Sequence, residues 1–201
     1  MGDEPIRVVI ADDEAIIRLD LKEILENAGF TVVGETGRGD EAVRLVDEHR
    51  PDLVILDIKM PGLDGIRAAR EIGERHDAAV LLLTAFSQRD LIQEARDAGV
   101  AAYLVKPFRR AELIPAIESV LQRAREDRII DEDVAATTSS RGAEDKLATR
   151  ERIEAAKNLL IERHAMTEEE AFAFIQRTAM QTRSRMRDVA DGIVQGSLAP
   201  E

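Results

Sequence analysis

Across the first 124 residues, hydrophobic positions fall by turns into short unbroken runs and into stripes spaced three and four apart. The runs are Ile6–Ala11, Thr31–Gly34, Asp52–Leu56, Ala79–Thr84 and Ala102–Val105, rich in Val, Ile and Leu. A run without polar alternation predicts a strand covered on both faces. Between the runs, Glu14–Ala28 carries Ile17, Leu21, Ile24 and Leu25 at helical spacing, with Gly29 where a C-terminal glycine belongs. Asp40–His49, Gly65–Arg75, Asp90–Ala98 (closed by Gly99) and Ala111–Ala124 are the other predicted helices. The last of them places Leu113, Ile117, Val120 and Leu121 on one face. Five strands alternating with five helices predict an α/β fold with a flavodoxin-like, doubly wound five-stranded parallel sheet.

Beyond Ala124 the pattern changes. Arg125–Asp133 is dense in charge and Thr137–Gly142 is small and polar, so residues 125–143 are expected to be a helical extension running into a linker. Residues 144–201 then predict a small all-α module of three helices. Glu144–Arg163 carries a stripe of Leu147, Ile153, Ala156, Leu160 and Ile161. Thr167 and Glu170 form a capping box that opens a helix through about Gln181, with Ala171, Phe172, Ile175 and Ala179 inward. Ser184 is the expected cap of the last helix, which carries Met186, Val189, Ala190, Ile193 and Val194 and ends at Gly196.

Composition narrows the function classes. A formal net charge of −12 disfavours indiscriminate nucleic-acid binding by the whole molecule, although a local basic face is compatible with it. There is no cysteine, which excludes disulfides, thiolate catalysis and Cys-ligated zinc. No secretory signal, myristoylation signal or bilayer-length apolar run is present, so a soluble cytoplasmic protein with no membrane partner is expected.

The chemistry collects at strand ends. The first run ends in Asp12 and Asp13, the third at Asp57, the fourth at Thr84 and the fifth at Lys106-Pro107. In a doubly wound sheet these positions share the carboxyl edge, where ligands bind. Three carboxylates crowded there raise one another's pKa unless a cation joins them, and Mg²⁺ suits an all-oxygen set. A carboxylate can also take up a phosphoryl group as a nucleophile. The motifs ADDE, LDIKMPGLDG, LLTA and YLVKPF, in that order over about residues 5 to 124, resemble the receiver domain of bacterial two-component response regulators. The resemblance implies Asp57 as phosphoacceptor, and Mg²⁺ held by Asp12, Asp13, Asp57 and the Lys59 backbone carbonyl. It further implies Thr84 and Lys106 on the phosphoryl group, Tyr103 as the partner of Thr84 in a switch, a cis Lys106–Pro107 bond, and a sensor histidine kinase as partner. Such a domain assists its own phosphorylation and dephosphorylation and is otherwise no enzyme. The switch is expected to act through the face formed by Asp90–Ala98, Ala102–Val105 and Ala111–Ala124.

Residues 171–187 contain Arg177, Arg183, Arg185 and Arg187 and no acid, a density that suits phosphate contact and stacking on unpaired bases. Ala156, Lys157, Leu160, Glu169, Ala171, Phe172, Ile175, Arg177, Met180 and Ala190 are similar, in spacing and type, to the ANTAR module, the RNA-binding output domain of transcription antitermination regulators. As a whole the chain looks like the phosphorylation-dependent antitermination regulators of actinobacteria. The resemblance implies hairpin RNA as ligand, with Lys157, Arg177, Arg183, Arg185 and Arg187 as candidate contacts. It also suggests a homodimer after phosphorylation, for which the Glu144–Ile161 stripe offers about two heptads of marginal coiled coil. The alternative is an output domain that binds DNA or a protein partner; Asp188 and Asp191 on the last helix disfavour DNA.

Overall fold

The structure, a computed structural model, describes residues 5–85, 100, 102–135, 142–198 and 200, without the side chains of 132–146. Two compact units divide the chain, Met1–Ala124 and Arg125–Glu201.

In the first unit, β1 (Arg7–Ala11), α1 (Ala15–Glu26), β2 (Thr31–Thr36), α2 (Gly39–His49), β3 (Leu53–Asp57), α3 (Gly65–Arg75), β4 (Ala79–Thr84) and β5 (Ala102–Val105) follow the expected alternation. The strands are all parallel, in the order β2-β1-β3-β4-β5. The period-2 pleat divides the apolar runs between two cores. Val9, Ala11, Val54, Leu56 and Leu82 meet Ala42, Val46, Ile66 and Ile72 of α2 and α3. Val8, Ile10, Leu53, Ile55, Leu81 and Leu83 meet Leu21 and Leu25 of α1 and Leu113, Ile117 and Val120. Burial on both faces is why these strands read as unbroken apolar runs. Gly29 takes φ +90, as its place after α1 requires. The expected helix at Asp90–Ala98 lies outside the described residues.

Helix α4 runs Arg110–Ala135, so the helical extension expected beyond Ala124 is present. Its residues beyond Ala124 are not a spacer. Ile130 is buried and Ile129 half-buried in the core of the second unit, and Glu126 is buried as well. The expectation of a linker over 125–143 is thus corrected for 125–135. The charges there mask an apolar pair that has a place to pack.

The second unit continues with α5 (Gly142–His164), α6 (Glu168–Thr182) and α7 (Met186–Val194). Its core gathers Ile130, Ile153, Ala156, Leu160, Ala171, Phe172, Ile175, Ala179, Met186, Val189, Ala190 and Ile193. The three expected helices are present, and the end of α4 packs with them through Ile129 and Ile130. Most of the α5 stripe proposed for a coiled coil is covered within the chain, and Leu147, 61% exposed, stands apart from it. The capping box is present in both directions: the Glu170 backbone N–H donates to Thr167 Oγ1 (3.2 Å), and the Thr167 N–H donates to Glu170 Oε2 (2.8 Å). The Thr167 backbone N–H and hydroxyl, both donating to Glu170 Oε2, hold that carboxyl below its ordinary pKa. Thr167→Ala should cost about 1 kcal/mol in thermal unfolding of this unit. Ser184 is not the cap of α7. Arg185 occupies that position with no side-chain cap bond, because Arg183 in the left-handed region (φ +53) ends α6 and turns the chain first.

Candidate functional site

The carboxyl edge of the sheet collects four of the expected side chains. Asp12 follows the last residue of β1 and is fully buried, with its backbone N–H donating to the Thr36 carbonyl (3.1 Å). Asp57 ends β3 at 5% exposure, and Thr84 ends β4, also buried. Lys106 follows β5, and its N–H donates to the Thr84 carbonyl (2.6 Å). The Lys106–Pro107 peptide is cis, as expected. The lysine Nζ lies 2.6 Å from Asp12 Oδ2, 3.0 Å from Asp57 Oδ1 and 3.8 Å from the exposed Glu14. Asp13 stands exposed beside them, and Lys59 is exposed on the loop after β3. Tyr103 lies on β5, paired in register with Leu82 of β4, and is 40% exposed.

The electrostatics of the site are strained. Burial pushes the Asp57 carboxyl above its ordinary pKa; the Lys106 hydrogen bond and charge pull it back, and Asp12 and Asp13 push it further up. For Lys106, burial works against the ammonium, but hydrogen bonds to Asp12 and Asp57 outweigh it and the net shift is upward. Carboxylate oxygens of Asp12, Asp13 and Asp57 lie within 4.8 Å of one another. Three carboxylates against one ammonium leave two negative charges uncompensated. That oxygen-only set fits a hard divalent cation such as Mg²⁺.

Two further residues, Gly65 and Arg18, support this site through its backbone. Gly65, recognisable only as part of a tight loop, leaves no room for a side chain: a Cβ there would sit 2.0 Å from the Asp57 carbonyl oxygen. Gly65→Ala should therefore displace the end of β3. Loss of divalent-cation binding, read by titration, is the expected outcome, with the helical unit unchanged in circular dichroism. Arg18 of α1, unremarkable in sequence, directs Nη1 to the Asp12 carbonyl (2.7 Å).

In the second unit the candidate cations separate. Arg177, Arg183 and Arg185 are exposed, and Arg187 is half-buried. Arg183, Arg185 and Arg187 cluster where α6 gives way to α7. Asp191, which had counted against a DNA reader, is ion-paired with Arg152 (3.3 Å). Lys157 is 1% exposed, and its ammonium is held by Glu126 (2.7 Å), Glu168 (2.9 Å) and Glu154 (3.1 Å), with the Phe172 ring centroid 5.9 Å away. Its assignment as an RNA contact is corrected: the charge is spent inside the bundle, where phosphate has no access. Burial opposes that ammonium, but the hydrogen bonds to Glu126 and Glu168 push its pKa up to about 12. No signal in the sequence separates this lysine from a surface one.

Comparison with known proteins bears on both units. The family described as "Response regulator receiver domain" matches residues 8–118, and the ANTAR domain family matches residues 141–194. The chain is 51% identical over 191 residues to the transcriptional regulatory protein PdtaR of Mycobacterium tuberculosis, covering 95% of this chain and 90% of that protein. It is 40% identical over 116 residues to the chemotaxis protein CheY of Bacillus subtilis, covering 57% of this chain and 97% of that one. Among solved structures, the receiver domain of the putative response regulator NarL from Mycobacterium tuberculosis superposes with a TM-score of 0.57 at 31% identity, over 59% of this chain and 98% of that chain. A chain of the CheX-CheY-BeF3-Mg+2 complex from Borrelia burgdorferi gives 0.55 at 30% identity, over 58% of this chain and 89% of that one. Among the described residues no helix is long and apolar enough to cross a membrane.

Proposed function

Because the chain belongs to the response regulators that join a receiver domain to an ANTAR output domain, we propose that it passes a phosphoryl signal from a sensor histidine kinase to hairpin RNA and acts by transcription antitermination in the cytoplasm. The observation that carries the first half is the placement of Lys106 between Asp12 and Asp57 at 2.6 and 3.0 Å. Asp57 is the nucleophile: a carboxylate oxygen forms the new P–O bond as the P–N bond of the kinase phosphohistidine breaks. Lys106, already at Asp57, offsets charge on the equatorial phosphoryl oxygens. Asp12 and Asp13, with Asp57 and the Lys59 carbonyl, would hold Mg²⁺. The ion, when bound, adds positive charge where the phosphoryl oxygens gather.

Thr84, buried at the end of β4, donates its hydroxyl to the aspartyl phosphate in this reading. Tyr103, partly exposed on the adjacent strand, then turns toward the space Thr84 leaves. This is a two-state element of the kind that phosphorylation biases. Phosphorylation thereby favours a homodimer whose paired output domains hold two RNA hairpins. Since the α5 stripe is largely covered within one chain, that dimer needs another surface or an opened bundle. The chain acts as a regulator, its chemistry confined to its own phosphoryl group.

For RNA contact, Arg183 and Arg185 are favoured by their exposure, with Arg177 and Arg187 beside them. The test is binding of a two-hairpin RNA with and without a small-molecule phosphoryl donor and Mg²⁺, against duplex DNA as competitor. Affinity should rise on phosphorylation and resist the DNA. Arg183→Ala and Arg185→Ala should each weaken binding and flatten its salt dependence by roughly one counterion per lost contact. Preference for duplex DNA, or arginine variants with undiminished RNA affinity, would transfer the output to DNA or a protein partner.

A further inference from the structure

Arg18 is a guanidinium beside an acidic pair, yet its hydrogen bonds go to backbone. Nη1 donates to the Asp12 carbonyl at 2.7 Å and approaches the Asp13 carbonyl at 3.4 Å. Gly37 packs alongside: an added Cβ there would lie at ordinary contact distance, 3.4 Å from Nη1 and 3.6 Å from both Asp12 O and Asp13 Cα. The loop is held at three further points: the Asp12 N–H on Thr36 O (3.1 Å), the Asp12 side chain accepting from the Glu14 N–H (3.0 Å), and Lys106 on Asp12 Oδ2. Asp13 is different. Its carboxylate is exposed, so the direction in which it points depends on the backbone that Arg18 grips.

We propose that Arg18 is a positioning residue for the divalent cation: by binding the two carbonyls it fixes the Asp12–Asp13 backbone, and so aims the Asp13 carboxylate at the site it shares with Asp12 and Asp57. This rests on the Mg²⁺ reading above. The physics gives the proposal a sign. A positive charge near a cation site repels the cation, so if Arg18 acted through charge alone, removing it would tighten Mg²⁺ binding. If it positions the loop, removing it weakens binding, because the carboxylates must then be ordered at the moment of binding.

Mg²⁺ titration of the full chain by calorimetry, without phosphoryl donor, decides between them. Arg18→Ala should raise the Kd at least about tenfold, in keeping with the loss of a charge-assisted hydrogen bond. Arg18→Lys, which keeps the charge and one donor, should recover part of that loss. Equal or tighter binding by Arg18→Ala overturns the proposal, as does an Arg18→Lys chain no better than Arg18→Ala. Thermal unfolding in a chelator separates general damage: a variant whose Mg²⁺ affinity falls while its metal-free midpoint stays near wild type supports positioning. One whose affinity holds while the midpoint drops makes Arg18 merely structural. Should the wild-type chain itself bind no Mg²⁺, the metal reading fails, and the proposal with it.

Discussion

An Asp57→Asn chain incubated with a phosphorylated histidine kinase or a small-molecule donor is expected to take up phosphate at least about a thousandfold more slowly than wild type, a barrier increase of roughly 4 kcal/mol. The amide is a poor nucleophile, and the other carboxylates are badly placed to replace Asp57. Asp12 is fully buried with Lys106 at 2.6 Å, and Asp13 lies exposed at the rim. Phosphate incorporation followed by mass shift checks the prediction, and wild-type labelling would move the acceptor elsewhere. The same substitution has an opposite effect on folding. Burial holds the Asp57 pKa above that of an ordinary carboxyl, so the native state binds its proton more readily than the unfolded state. Ionising Asp57 therefore costs stability as pH rises above the usual carboxyl range. The neutral Asn should raise the metal-free unfolding midpoint at neutral pH while abolishing phosphorylation, a pairing that a merely misfolded variant would not show.

The second large effect belongs to Lys157. Lys157→Ala takes the ammonium away from Glu126, whose side chain is 5% exposed, and from between Glu154 and Glu168, which then repel one another. Removing one partner of a buried pair costs about 3–5 kcal/mol. In a unit of this size that lowers the unfolding midpoint by roughly 12–40 °C. Helical signal should therefore melt early in two-step fashion, the sheet unit following later. The double variant Glu126→Leu/Lys157→Met replaces the pair by apolar groups of similar volume and should restore most of the loss. The pH dependence has a definite sign. A lysine whose folded pKa is raised to about 12 contributes its full stabilisation below the ordinary lysine value of about 10.4, and loses it as pH rises through 12. The contribution should be flat across the neutral range and disappear only in strong alkali. Stability of the helical unit that fell between pH 6 and 8 on account of Lys157 would contradict it.

The two units differ in how much their sequences disclose. In the sheet unit, β1, β3 and β4 are apolar on both faces, so each announces itself as a run, and the residue after the run is read at once as an edge residue. Asp12, Asp57, Thr84 and Lys106 were therefore legible as a group before any distance was known. Arg18 and Gly65 were not, because they act on backbone carbonyls, and a contact to backbone leaves no mark on residue type. In the helical unit, the periodicity located α5, α6 and α7, and Thr167 with Glu170 fixed where α6 starts. It missed that residues 125–135 belong to the bundle, since Glu126 and Asp127 read as solvent-facing charge while Glu126 is in fact buried against Lys157. A buried ion pair looks, residue by residue, like two surface charges. Only the fold distinguishes them.

The exposure of Tyr103 has a practical sequel. The chain contains one tyrosine and no tryptophan, so its tyrosine emission comes wholly from β5. At 40% exposure the ring is open to a dissolved quencher such as acrylamide. If phosphorylation draws that ring inward, the emission becomes shielded from the quencher. On that switch, the native chain would carry its own optical reporter of the signalling state, readable in a stopped-flow cuvette without a label, a mutation or a bound RNA.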